Sequence, residues 1–182
     1  MKEEKTFSQM LSTIICGHLL LHLHFNLGRM DVLADWGGYL LLISALPPLA
    51  REEPSAMLLR PLGVGLAMWE GILWGLKLLG ETPTLDVMGL AALVAEITAL
   101  YFHFQLLTDV MIAAENHNFF PQAKRIGDLR ITRTVSATVL ALPVDWGEYL
   151  WAASALACVN FLVTIALILE IYSMKKEQDR TV

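Results

Sequence analysis

Apolar residues gather along this chain into runs separated by short polar clusters. LSTIICGHLLLHLHF begins at Leu11, and LWAASALACVNFLVTIALIL begins at Leu150. Crossing a bilayer takes about 20 mostly apolar residues, and such runs predict membrane helices. Six segments can be drawn, at 10–27, 36–50, 57–80, 87–110, 130–144 and 147–172. The second and fifth are short. Pro47-Pro48 is expected to end the second and Pro143 the fifth, so each is expected to sit upright, thin the bilayer or enter it partway. The fold expected is an all-α membrane bundle forming one integral-membrane domain over residues 1–182.

Composition agrees with the pattern. The 182 residues are 55% hydrophobic and 17% charged, with a mean hydropathy of +0.54, too apolar for a water-soluble domain of this size. The net charge of −5 says little about partners, because its distribution matters more than its sum. Cys16 and Cys158 lie inside apolar runs and read as packing residues, not as a disulfide framework. No small-x-small cleavage site follows the first run, so it reads as a retained span and not a signal peptide.

Basic residues choose the side. With six spans, one face holds Lys2, Lys5, Arg51, Arg60, Lys124, Arg125, Arg130, Arg133, Lys175, Lys176 and Arg180, eleven of the thirteen. Only Arg29 and Lys77 fall on the other face. The positive-inside rule makes the eleven-residue face cytoplasmic, with both termini inside. The expected location is a bacterial cytoplasmic membrane, crossed several times.

One stretch is written twice. ADWGGYLLLISAL begins at Ala34 and VDWGEYLWAASAL at Val144, with eight of thirteen positions identical. In this topology both copies begin a span on the extracytoplasmic face. Asp35 and Asp145 are placed to cap the helices that follow. Trp36, Tyr39, Trp146 and Tyr149 suit the aromatic belt at headgroup level, and Gly37 and Gly147 would permit close backbone approach. The alternative is a paired acidic mouth, with Asp35 and Asp145 related by an axis along the membrane normal.

The first copy resembles a signature of small multi-span membrane proteins of Gram-positive bacteria, hydrophobic-Asp-hydrophobic-Leu-Pro-Asp-x-x-Gly-Tyr-hydrophobic-Leu. Asp31, Leu33, Asp35, Gly38, Tyr39 and Leu40 match it, with Ala34 at the usual proline. The second copy keeps Leu142, Pro143, Asp145 and Tyr149, but inserts Val144 and puts Glu148 where Gly38 sits. The resemblance covers about two dozen residues and implies a membrane setting without an activity.

Ionisable residues inside spans are costly and therefore informative. His18, His22 and Asn26 recur every four residues on one helix face. At 1.5 Å per residue, His22, Glu70 and Glu96 share a depth roughly 20 Å from the cytoplasmic end, and His18 and His103 a layer roughly 11 Å from it. Three readings fit: hydrogen-bonded glue between helices; a transport path for a proton, cation or small polar solute, with Glu70 and Glu96 alternating protonation and His22 relaying; or a cofactor site. In the last, His18 and His103 would ligate a haem axially, or His22, Glu70 and Glu96 a divalent metal. No dense ligand motif supports a metal or haem, and no cofactor is favoured.

Gly71-x-x-x-Gly75 is a helix-contact signal within the chain or between two copies. The segment from Glu115 to Arg130 reads as a cytoplasmic connector, in which Phe119-Phe120-Pro121 with Lys124 and Arg125 would suit an interface with anionic headgroups. There is no Gly-rich phosphate loop, nucleophile elbow or nucleic-acid motif, which disfavours an enzyme and a nucleic-acid partner. The leading expectation is a small transporter-like or channel-like protein in a lipid bilayer. The alternative is a non-catalytic subunit or scaffold, alone, self-associated or with a membrane-protein partner. In a Cys-free background, cysteines beside Asp31 and Asp145 should react with an impermeant reagent in intact cells. A cysteine replacing Arg125 should be protected, and its labelling would refute the six-span topology.

Overall fold

The computed structural model describes residues 2–22, 26–27, 30–31, 35–80, 85–142 and 144–181, with side chains described over 6–22, 35–80, 89–142 and 144–180. The side chains of Asp31, Leu33, Ala34 and Pro143 from the signature, and of His24, Asn26 and Arg29, lie outside the described residues. The architecture is helical: α1 (Lys2–His22), α2 (Asp35–Glu52), α3 (Leu59–Leu78), α4 (Leu85–Asn116), α5 (Phe120–Ala141) and α6 (Leu150–Thr181). A two-residue antiparallel pairing, Asn26 with Asp31 and Leu27 with Met30, folds back the chain between α1 and α2.

Each boundary has a local cause. Glu53 ends α2 and accepts from Ser55 N at 3.2 Å, starting the 3-10 turn Pro54–Leu58 that leads into α3. Gly80, at φ 76°, takes the left-handed conformation that glycine adopts freely after a helix end. Asn118, at φ 64°, turns α4 into α5, where Pro121 occupies the first helical turn and wastes no donor. Leu142 precedes a proline and leaves the helix at φ −63°, ψ 141°.

Two expectations about element ends are corrected. Pro47 and Pro48 do not end α2, which continues to Glu52. Proline removes one intrahelical bond and crowds the preceding turn, but Leu46 and Leu49 are fully buried on either side of the pair and hold the last turn in place. The expected connector after Glu115 is instead mostly α5. Ala123, Ile126 and Gly127 are buried, while Lys124, Arg125 and Asp128 are exposed, an amphipathic spacing that makes a helix when α4 and α6 offer a surface. Phe119 is buried and only Phe120 of that pair is exposed.

The helices close a ring. α1 packs against α2 and α6, α2 against α3, α4 against both α3 and α5, and α5 against α6. At the end carrying both termini the packing is dense. Leu11 and Ile14 of α1 are buried together with Leu42 and Leu46 of α2, Leu106 and Leu107 of α4, Ile126 of α5 and Leu167 of α6. Polar contacts finish that end. Ser8 Oγ donates to Asp179 Oδ1 (2.6 Å), Arg125 Nη1 to Glu170 Oε1 (3.1 Å) and Gln122 Nε2 to Glu177 Oε2 (2.8 Å). Phe7 stacks on His117, ring centroids 3.9 Å apart, and His117 Nε2 lies 3.3 Å from Glu52 Oε1.

Toward the other end the ring presents apolar side chains outward: Leu90, Leu93, Val94 and Ile97 on α4, and Leu150, Trp151 and Leu162 on α6. So large an apolar exterior suits lipid and not water. Among the described residues, three helical stretches, Pro54–Leu78, Gly89–Asn116 and Leu150–Arg180, are long and apolar enough to cross a membrane. Cys16 and Cys158 are free and face outward, so neither is the interior packing residue expected.

The closest helix approach falls on Gly17 and Gly38. A Cβ on Gly38 would meet Leu21 Cγ at 2.6 Å and the Gly17 carbonyl oxygen at 3.0 Å; one on Gly17 would meet Leu42 Cδ2 at 2.7 Å. Gly37 and Gly75 have nothing within 4 Å, Gly71 only touches Trp36 at 4.0 Å, and Gly147 meets only the side chain of Asp145. Close approach is therefore the work of Gly38, not of Gly37 or Gly147. Gly38→Ala should lower stability by about 1–3 kcal/mol through overpacking. Gly37→Ala should be neutral, or stabilising by up to about 1 kcal/mol through helix propensity. Thermal unfolding of the two variants in detergent checks both, and equal melting temperatures would refute the crossing.

Candidate functional site

Five of the six helices contribute to one cavity of about 230 Å³. The last turn of α1 supplies His22, the first turns of α2 supply Asp35 and Tyr39, and α3 supplies Glu70. On α4, Glu96, Leu100 and His103 follow at helical spacing and line one wall. From α5 come Arg133, Thr134 and Ala137. The structure thus brings His22, Glu70 and Glu96 to a single space, and adds Asp35, Tyr39, His103 and Arg133 to it.

Hydrogen bonds define the state of the histidines. His18 Nδ1 donates to Ile14 O (3.0 Å) and His22 Nδ1 to His18 O (2.9 Å). Each ring is pinned to the carbonyl one turn back, and the two lie nearly parallel, centroids 6.3 Å apart. A carbonyl only accepts, so His22 carries its proton on Nδ1, which leaves Nε2 as an acceptor. Arg133 Nη2 donates to that nitrogen at 3.3 Å. The contact ties α5 to α1 and occupies the imidazole lone pair that a proton relay through His22 would use.

His18 and His103 form a second layer beside the cavity, ring centroids 5.5 Å apart and planes tilted by 58°. Both are buried. The rings of Tyr39 and Phe102 pack against His103 at 5.9 and 5.6 Å. Axial ligands hold an iron from opposite faces of a porphyrin, which needs a wide slot between them. Here the two imidazoles contact each other and aromatic rings fill the flank, so the haem expectation does not fit. Among the described residues, no three His, Cys, Asp or Glu side chains converge to hold a metal ion, and the arrangement of His22, Glu70 and Glu96 lends no support to a metal centre.

Two functional features escaped the reading of the sequence. By position along the chain, with a fifth span expected from 130, Arg133 groups with the cytoplasmic basic residues. With α5 starting at Phe120, Arg133 lies roughly 20 Å along the helix, well inside the bundle. The signal was available, since Arg133 is followed by Thr134, Ser136 and Ala137, small residues that leave its head room. Arg130 likewise turns inward, its guanidinium 4.4 Å from the centre of the Phe104 ring and donating to Thr108 Oγ1. The other feature is Asp109 on α4, fully buried nearer the termini. Its Oδ1 accepts from Gln105 Nε2 (2.7 Å) and Ser55 Oγ (2.9 Å), while Oδ2 has no partner among the described residues.

The two copies of the repeated stretch take different parts. Asp35 opens α2 and lines the cavity, Trp36 meets Trp74 edge-on at 6.3 Å, and Tyr39 is buried. In the second copy Asp145 Oδ1 accepts from Gly147 N (3.0 Å), closing an exposed turn, and α6 begins only at Leu150. Trp146 is half-buried, Tyr149 is exposed, and Asp145 is not part of the cavity wall. No family model, curated protein or solved structure matches the chain.

An open cavity and a closed core make different predictions for chemical access. With Cys16 and Cys158 replaced by serine, a cysteine at Glu96 should react readily with a small water-soluble thiol reagent. One at Leu106, which is fully buried, should react only on unfolding. Equal rates at the two positions would show that the cavity is not water-filled.

Proposed function

We propose that this chain crosses a bacterial cytoplasmic membrane six times with both termini inside, and that the cavity is a transport site for a proton and a small polar solute. The observation that carries the proposal is the convergence of ionisable side chains from five helices on one open space. Interhelical glue would pair such groups and close the gap. Instead, Glu70 and Glu96 line the cavity without a hydrogen bond or ion pair to any described residue. The basic asymmetry still supports the orientation. With Arg130 and Arg133 inside the bundle, nine basic residues remain on the cytoplasmic side against Arg29 and Lys77 on the other. The resemblance to small Gram-positive membrane proteins points the same way for the setting and adds nothing on activity.

In this reading the cavity faces the extracytoplasmic side, where α1 ends and α2 begins. Toward the cytoplasm the His18–His103 layer and the buried Leu42, Leu46 and Leu107 close the way. Glu70 and Glu96 exchange protons with the cavity water. Arg133, held on His22, supplies a positive charge on the opposite wall of the same cavity. Asp109, beyond the seal, is the next carboxyl on the route inward.

Proteoliposomes enclosing a pH-sensitive dye test the proposal. Wild-type protein should dissipate an imposed pH gradient. Glu96→Gln, which keeps the shape of a neutral carboxyl and cannot release a proton, should reduce that flux by about a hundredfold or more, the contribution typical of one positioned proton-transfer group. Its helical content should be unchanged, and Glu115→Gln at the exposed end of α4 should behave as wild type. Full flux in both Glu96→Gln and Glu70→Gln would refute the mechanism.

A further inference from the structure

Arg133 lines the same cavity as Glu70 and Glu96, and forms no ion pair with either. Its Nη2 is spent on the neutral His22 ring at 3.3 Å, and its Nε is shut from solvent with no partner among the described residues. A guanidinium has five N–H donors in a planar fork, so the single imidazole acceptor leaves Arg133 with donors to offer a ligand in the cavity. The group that suits this fork is a carboxylate, bound through two parallel hydrogen bonds.

The acidic side is complementary. Glu70 on α3 and Arg133 on α5 come from the two helices that flank α4, and Glu96 lies on α4 between them. Glu70 and Glu96 put two carboxyl groups on this wall without an ion pair to any described residue, an arrangement that favours a cation. A lone anion bound at Arg133 would meet that acidic wall, and a lone cation bound at the carboxylates would meet Arg133. A molecule carrying both charges satisfies both walls.

Size narrows the class. At about 30 Å³ per molecule, the cavity of about 230 Å³ holds roughly eight waters. That is below the roughly 300–1,000 Å³ usual for drug-sized ligands. Leu21, Ala99, Leu100 and Ala137 supply apolar lining between the charged groups. We propose that the solute is a small zwitterion of amino-acid size, its carboxylate held by Arg133 and its ammonium group by the acidic wall of Glu70 and Glu96. This rests on the transport reading of the cavity and names the substrate class for it.

The test uses the purified full-length chain in detergent, titrated with glycine, alanine, β-alanine and γ-aminobutyrate, and in parallel with propionate and propylamine. Calorimetry and the shift in melting temperature report binding. At least one zwitterion should bind saturably, and propionate and propylamine should bind about tenfold more weakly or not at all, since each satisfies one wall and opposes the other. Arg133→Lys keeps the charge but loses the fork, and should weaken zwitterion binding about tenfold while leaving propylamine unaffected. Glu70→Gln should weaken the zwitterion independently, which keeps the test decisive if the arginine variant misfolds. Propionate or propylamine binding as tightly as the zwitterions would overturn the proposal. So would the absence of binding by every probe; if the Glu96-dependent proton flux persisted in that case, the transport reading would survive without this substrate. Zwitterion binding in a protein that conducts no protons would uphold the site and remove the transport reading.

Discussion

Charged side chains inside an apolar helix bundle have few places to go. Each must find an opposite charge, a set of hydrogen-bond acceptors or water, because leaving it unpaired in low dielectric costs several kcal/mol. Arg133 reaches the interior on α5, and the rest of the arrangement follows that constraint. His22 turns its acceptor nitrogen toward the guanidinium because its other nitrogen is tied to His18 O. The carbonyl of Arg133 accepts from Ser136 Oγ at 3.0 Å and from Asn160 Nδ2 at 3.5 Å, which anchors this turn of α5 to α6. The cavity is the space to whose wall helices α1 to α5 each contribute a polar side chain.

The division between a dense end and an open end gives the cavity its shape. Gly17 and Gly38 let α1 and α2 cross with backbone nearly in contact, and a Cβ on Gly63 would meet Ile43 Cγ1 at 2.8 Å and Phe102 Cε2 at 3.0 Å. Those contacts draw α1, α2, α3 and α4 together at the histidine layer and on its termini side. Beyond it α4 and α6 carry exposed apolar faces. At 32 residues each they are about 48 Å long, well beyond the ~30 Å hydrocarbon core of a bilayer. Their surplus length forms the polar-stapled layer at the termini. Helix length in this chain therefore serves two solvents, lipid along the apolar stretch and water past it.

The repeated stretch shows how context changes the meaning of identical residues. Both copies read Asp-Trp-Gly, yet one begins a helix and the other closes a turn ahead of one. The difference traces to the positions that differ. Gly38 in the first copy lies against Gly17 and draws α2 onto α1. Glu148 in the second copy occupies the equivalent place, is exposed, and could not enter such a crossing. Asp35 is thereby carried to the cavity and Asp145 is left at the surface.

Much of this was legible in the residues themselves. The apolar runs specify six helices in an all-helical chain, because helix period and span length are properties of neighbouring residues. The same local spacing puts Glu96 and His103 on one face of α4, and His18 and His22 on one face of α1. The sequence could not show that α2 would run through Pro47 and Pro48, since only the burial of Leu46 and Leu49 against other helices maintains that turn. Nor could it show that Gly38 and not Gly37 would meet a neighbouring backbone, because adjacent positions on a helix point about 100° apart and only the partner's position selects between them. Arg133 is the sharpest case. Counted along the chain it belongs with the surface cations, but tertiary packing extends α5 back to Phe120 and carries the guanidinium into the bundle. Charge and periodicity are written residue by residue; which charges share one space is decided by the rotation and depth of helices far apart in sequence.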